Sequence, residues 1–204
     1  MGPISRVESQ QQTRTALIEA ALLEFSEHGF LAAALERIAD RAGYTRGAIY
    51  KNFVDKYDLF SAVLTDWITR HTDTLARDLA GAADGPPQLD VLQEWFDTFL
   101  VPQSLSVAYN EFCAAAVSRP QARELLAQHQ HTIRRQIASM IDDYCDRTQI
   151  AMPIPSSHFA ALVAALATGL ASQRSLDPAA VPRELYADAL TYLWSGMLSD
   201  TPSD

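Results

Sequence analysis

Only two cysteines and eight glycines occur in this chain of 204 residues. Cys113 and Cys145 lie far apart, in neither a CxxC nor a metal-ligand spacing, so a disulfide scaffold, a zinc site and a redox pair all lack support. Both read as small buried hydrophobes. No stretch approaches the roughly 18 continuous apolar residues of a membrane span. The opening segment MGPISRVESQ has no signal-peptide apolar core, so a cytoplasmic address and no membrane partner are expected. Strict apolar–polar alternation is missing too, which argues against a sheet. Cys113, the five histidines and the acidic group Asp142, Asp143 and Asp146 show no triad, metal or phosphate-loop spacing. The three aspartates read as the solvated end of a helix. No catalytic residue, cofactor or metal is expected, and the chain is not read as an enzyme.

Charge of one sign is also short: 16 Lys and Arg stand against 25 Asp and Glu, net −9. Taken whole, that acidity opposes nucleic-acid binding, because phosphate attraction dominates DNA affinity. The distribution reverses the inference. Residues 1–60 hold seven basic against eight acidic side chains, net −1, which leaves −8 for the rest. Arg41 to Phe53 carries Arg41, Arg46 and Lys51 with no acid, a local cationic strip within an acidic average.

With 48% apolar and 20% charged residues the chain has the composition of a folded globular protein. Its apolar residues recur at three-to-four spacing, and Gly and Pro collect between the periodic stretches, so an all-α fold of about nine helices is expected. The first helix runs from about Gln10 to His28, with Leu23 and Phe25 counted on its apolar face and Gly29 as its stop. A second spans Leu35 to Ala42 and a third Arg46 to Phe53, with Thr45 as N-cap. The fourth starts near Lys56 and runs toward Leu79. After the loop GAADGPP, helices are expected over Leu89–Leu100, Leu105–Val117, Gln121–Arg147, Ser157–Arg174 and Pro182–Leu198.

The window Ala34 to Phe60, ALERIADRAGYTRGAIYKNFVDKYDLF, has the parts of a helix-turn-helix. Ala39 is small where two helices cross, Gly43 takes the left-handed turn, and Leu35, Ile38, Ala42 and Ile49 supply the locking apolar face. Together with TRTALIEAALLEFSEHGF before it, this window closely resembles the DNA-binding signature of TetR-type regulators. The remaining two thirds of the chain resemble that family only in length and helical pattern.

The resemblance implies an N-terminal three-helix DNA-binding domain, residues 1–55, followed by a larger helical ligand-binding and dimerisation domain, residues 56–204. The third helix enters the major groove. Thr45 and Arg46 reach phosphate and base edges, Arg being able to hold guanine bidentately, while Gly47 and Ala48 remove bulk and permit close approach. Tyr50, Lys51 and Lys56 match phosphate-contacting positions. The competing reading makes Tyr50 and Phe53 core aromatics and the three cations a solvated face; Phe53 is read as core, Tyr50 and the cations as DNA contacts. Lys56 is disfavoured by the dipole of a helix start and therefore reads as kept for a contact. Arg6 and Arg14 are further candidates. One departure stands out: Ala33 and Ala34 occupy positions where the family has a Ser or Thr cap for the second helix.

Two half-sites on operator DNA need two recognition helices, so a homodimer is expected. Its surface is read on the last two helices: Phe159, Leu162, Val163, Leu166 and Leu170, then Leu190 and Trp194, with intramolecular core as the alternative. A small-molecule effector, hydrophobic or aromatic, would be met by Trp67, His71, Trp95, Phe96, Phe99, Tyr109, Phe112 and Met140, though any one such residue is more often plain core or surface. The function implied is a ligand-responsive regulator of the repressor kind on a palindromic operator. An activator, or a TetR-like helical dimer without DNA binding, remains as the alternative.

Overall fold

The computed structural model describes residues 5–81 and 103–199. Among them lie eight helices and no strand: α1 (Arg6–Ala32), α2 (Leu35–Ala42), α3 (Arg46–Asn52), α4 (Lys56–Gly81), α5 (Gln103–Ser118), α6 (Pro120–Thr148), α7 (Ser156–Leu176) and α8 (Leu185–Ser199). The all-α expectation is met. The helix expected over Leu89–Leu100, with Trp95, Phe96 and Phe99, and the loop that precedes it past Gly81 lie outside the described residues.

The chain divides into two compact units, one ending at Trp67 and resuming over Gln103–His129, the other taking Ile68 onward and Gln130 onward. In the first unit, α1 starts earlier than Gln10 because Ser5 and Glu8 close a capping box: Glu8 N–H donates to Ser5 Oγ at 3.2 Å, and Ser5 N–H to Glu8 Oε2 at 2.8 Å. Gly29 does break the helix, with φ 75° and ψ 175°, but a further turn runs on to Ala32. The turn survives because Leu31 N–H donates to Glu111 Oε2 of α5 at 2.9 Å. Leu23 is half exposed rather than on the buried face. Its neighbour Glu24 is the buried residue there, made tolerable by Arg37 Nε at 2.6 Å and Ala34 N–H at 3.2 Å.

The centre of this unit is aromatic. Phe25, Phe30, Phe60 and Phe112 are fully buried; Phe25 and Phe30 stack at 5.9 Å, and the other pairs meet edge-on or tilted, with centroids 4.8 Å apart for Phe25–Phe60, 5.0 Å for Phe60–Phe112 and 5.4 Å for Phe30–Phe112. Such pairs are worth about 0.5–1.5 kcal/mol beyond their area burial. The cluster joins α1, α4 and α5, the frame on which α2 and α3 rest through Ile38, Ala39 and Ile49, all buried.

The second unit is aliphatic. Ile68, Ile137, Val163 and Leu190 pack with Phe159, Tyr186, Ala160 and Ala167. Trp194 meets Tyr144 at 5.5 Å and Phe159 at 5.8 Å. Although it holds no run of about 18 continuous apolar residues, α7 is long and apolar enough to cross a membrane by length and composition, with a mean hydropathy of 1.2. Its Phe159, Ala160, Val163 and Ala167 are buried in the core of this unit, while Leu162 is half exposed.

Candidate nucleic-acid interface

Gly43 ends α2 at φ 74°. Its N–H donates to Asp40 O at 3.1 Å and Tyr44 N–H to Ala39 O at 2.9 Å, a Schellman turn that fixes where α3 begins. Thr45 holds the N-cap position of α3, yet its side chain makes no capping bond. Its hydroxyl is thus not committed to the helix start. α2 lacks a side-chain cap as well, as Ala34 requires; the Ala34 N–H instead meets the carboxylate of Glu24.

From this turn α3 presents Thr45, Arg46, Gly47, Tyr50 and Lys51 to solvent, with Ala48 half-buried and Ile49 turned into the core. A Cβ added at Gly47 would meet nothing closer than Thr45 Oγ1 at 3.6 Å, so the fold itself does not demand glycine there. Tyr50 is half exposed, whereas Phe53 is buried and lies under the Arg14 guanidinium at 4.3 Å. Arg14 also donates to Asn52 O at 2.7 Å, closing the C-terminal end of α3. Beside it Val7, Gln10, Gln11, Arg14, Lys51 and Asn52 line an open cavity of about 170 Å³. The glutamines and Asn52 escaped the sequence reading, and only the chain's own fold brings them to Lys51.

The cationic strip is more engaged than its sequence suggests. Arg41 forms a two-pronged pair with Glu27 at 2.8 and 2.6 Å, which raises the Arg41 pKa and lowers that of Glu27. Arg46 donates to Tyr50 Oη through Nε at 3.3 Å and Nη2 at 2.9 Å, and its Nη1 pairs with Glu36 of α2. The bond to Tyr50 and the charge of Glu36 raise its pKa. Lys56 donates to Leu31 O at 3.0 Å and Ala33 O at 3.2 Å, and its ammonium sits 5.0 Å from the Phe30 ring. Partial burial lowers its pKa against the opposing pull of Glu111. Lys56 therefore secures the end of α1 with two of its three protons. The carboxylates of Glu24 and Glu27 and the His28 ring lie within 4.8 Å of one another, but Arg37 and Arg41 already pair with the two carboxylates.

The residues expected around an effector divide differently. Phe112 is sealed in the aromatic cluster and Tyr109 is buried, 6.3 Å from the His129 ring; Trp67, His71 and Met140 are half-buried. On the expected dimer surface Phe159, Val163 and Leu190 are buried, Leu166, Leu170 and Trp194 half-buried, and Leu162 exposed.

Residues 17–63 match the model of bacterial regulatory proteins of the tetR family, and residues 89–198 match the C-terminal model of BetI-type transcriptional repressors. ArpR of Pseudomonas putida, named as an HTH-type transcriptional regulator, is 32% identical over 192 residues, 92% of this chain and 82% of that protein. The chain belongs to the TetR family. It is a transcriptional regulator and not an enzyme. AcrR of Shigella flexneri is 49% identical over 53 residues, but that match spans only 26% of this chain and 25% of AcrR. A TetR transcription regulator from Haloarcula marismortui shares the fold, with a TM-score of 0.68 at 20% identity over 92% of this chain and 98% of its own. TetR-family regulators bind DNA.

Proposed function

We propose that this TetR-family protein is a cytoplasmic, ligand-responsive repressor that binds a palindromic operator as a homodimer and leaves it when a small hydrophobic or aromatic effector binds. Residues 1–55 form the DNA-binding domain and residues 56–204 the ligand-binding and dimerisation domain. The observation that carries the reading is the outer face of α3: Arg46 and Tyr50 point to solvent beside Gly47, a glycine that the chain's own packing does not require. Close approach to base edges supplies the missing reason for it. Arg46 reads a guanine; Thr45, Ala48, Tyr50 and Lys51 follow the groove, and the third proton of Lys56 meets a phosphate.

Exposed Leu162, Leu193 and Tyr192 on α7 and α8 favour a partner over these helices, the same elements that bear the other dimerisation residues. The candidates for meeting the effector are Trp67, His71, Trp95, Phe96, Phe99, Tyr109, Phe112 and Met140, of which Phe112 serves only if the aromatic cluster opens. A ligand that prefers one setting of the dimer by a few kilocalories per mole shifts occupancy of the operator substantially.

The test is selection of duplex DNA by the purified protein, followed by fluorescence anisotropy across a salt series. Arg46→Ala is expected to cost about 1–3 kcal/mol and to relax one base position, and Lys51→Ala to reduce the salt slope by about one. Selection of no duplex at all would overturn the reading and leave a TetR-like dimer with another task.

A further inference from the structure

Both edges of the Arg46 guanidinium are occupied within the chain. Nε and Nη2 face the Tyr50 hydroxyl, with the ring 5.5 Å from the guanidinium carbon, and Nη1 is paired with Glu36. Glu36 belongs to the first turn of α2, where the helix dipole favours a carboxylate, and the Schellman turn at Gly43 fixes the approach of the two helices. Glu36 and Arg46 are each more than half exposed, so nothing in the core requires the pair. Yet the side chain best suited to read a base is held by an acid on the neighbouring helix.

We propose that Glu36 is a specificity-determining residue, an internal competitor for Arg46 that DNA must displace and that guanine displaces best. This inference rests on the reading of α3 as the recognition helix. A guanine offers Arg46 two acceptors, O6 and N7, in the fork geometry that replaces the carboxylate. A lone phosphate exchanges one anion for another and leaves the freed Glu36 carboxylate facing the polyanion. Every duplex that engages Arg46 meets the cost of parting it from Glu36, but only a sequence that also offers the freed carboxylate a donor recovers that cost. A cytosine amino group beside the guanine is such a donor, so the penalty falls on the sequences that lack it. The acid thus weakens indiscriminate binding more than operator binding, and specificity is a difference of the two.

The test compares the duplex selected by the wild-type protein with a scrambled one of equal length, by anisotropy at several salt concentrations. Glu36→Gln keeps the shape and removes the charge, and Glu36→Ala checks that the amide adds no contact of its own. Both are expected to tighten scrambled-DNA binding about three- to fivefold, toward the upper end for an exposed ion pair, and operator binding less than twofold. In an Arg46→Ala background the same change should act equally on both duplexes, because only long-range charge is then altered. Equal tightening of both duplexes with Arg46 present, or weaker operator binding, overturns the proposal while the DNA-binding reading stands. If the wild-type protein selects no duplex, both fall together.

Discussion

The two units of this chain are built in different ways. The first is knitted by side chains that reach across long stretches of sequence: Glu24 to Arg37, Arg14 to the end of α3, Glu111 to the turn after Gly29, and Lys56 to the carbonyls of Leu31 and Ala33. The second is held by aliphatic packing around Phe159 and Tyr186, with small residues Ala160 and Ala167 in its centre. Directional bonds tolerate little displacement, whereas apolar contacts can slide and repack. On the proposed function, a surface that reads base edges needs the first kind of construction, and a region that accepts an effector or partner is served by the second.

The strongest way to break this comparison is to remove one phenylalanine from each core. Phe60 lies within 5.3 Å of three other rings, all fully buried, so Phe60→Ala leaves a cavity that rigid neighbours cannot fill. We expect a loss of about 5 kcal/mol, the upper end of such substitutions. Phe159→Ala, beside the half-buried side chain of Trp194, should collapse more fully and cost about 3 kcal/mol. Urea unfolding of both variants decides it: equal losses would erase the distinction in packing.

Acid should act on the first unit through a buried histidine. His129 is buried, and burial lowers its pKa from 6.5 to about 4. The folded state therefore resists a proton that the unfolded chain accepts. Stability is complete above about pH 6.5 and falls as pH drops toward 4, by about 3 kcal/mol at the limit. The lowered carboxylates Glu24 and Glu27 act in the same direction but only below their ordinary value of 4.5. His129→Gln should flatten the denaturant midpoint between pH 6.5 and 4.5, whatever it does to stability at neutral pH. An unchanged slope would show that His129 is not the group responsible.

These contrasts also explain what could be read in advance. The bounds of α2 and the start of α3 were legible because Gly43 and Thr45 act on their immediate neighbours. The start of α1 was equally local, since Ser5 and Glu8 spell a capping box, but the apolar period that begins later drew the boundary to Gln10. Illegible were the engagements of charge. Nothing local to Arg41 or Lys56 says that Glu27 or the end of α1 waits for it, because partners 14 to 25 residues away leave no period in the sequence. The residues of α3 could be placed from their order, whereas the Glu36 that restrains Arg46 required the crossing of two helices to be seen.

The smallest expected effect tests the long-range stitching itself. At φ 75° and ψ 175° Gly29 occupies backbone territory that an alanine rarely adopts, and its Cβ would lie 2.8 Å from Glu111 Oε2. The carboxylate can swing away, but Leu31 N–H then loses its acceptor. Gly29→Ala should cost about 2 kcal/mol, part from the dihedral angles and part from that bond. Glu111→Ala removes the collision and the bond together, so the double variant should lose less than the sum of the two single ones. Strict additivity in thermal unfolding would mean that α5 does not hold the turn after Gly29. The placement of α1 against α5 would then have to come from the aromatic cluster alone.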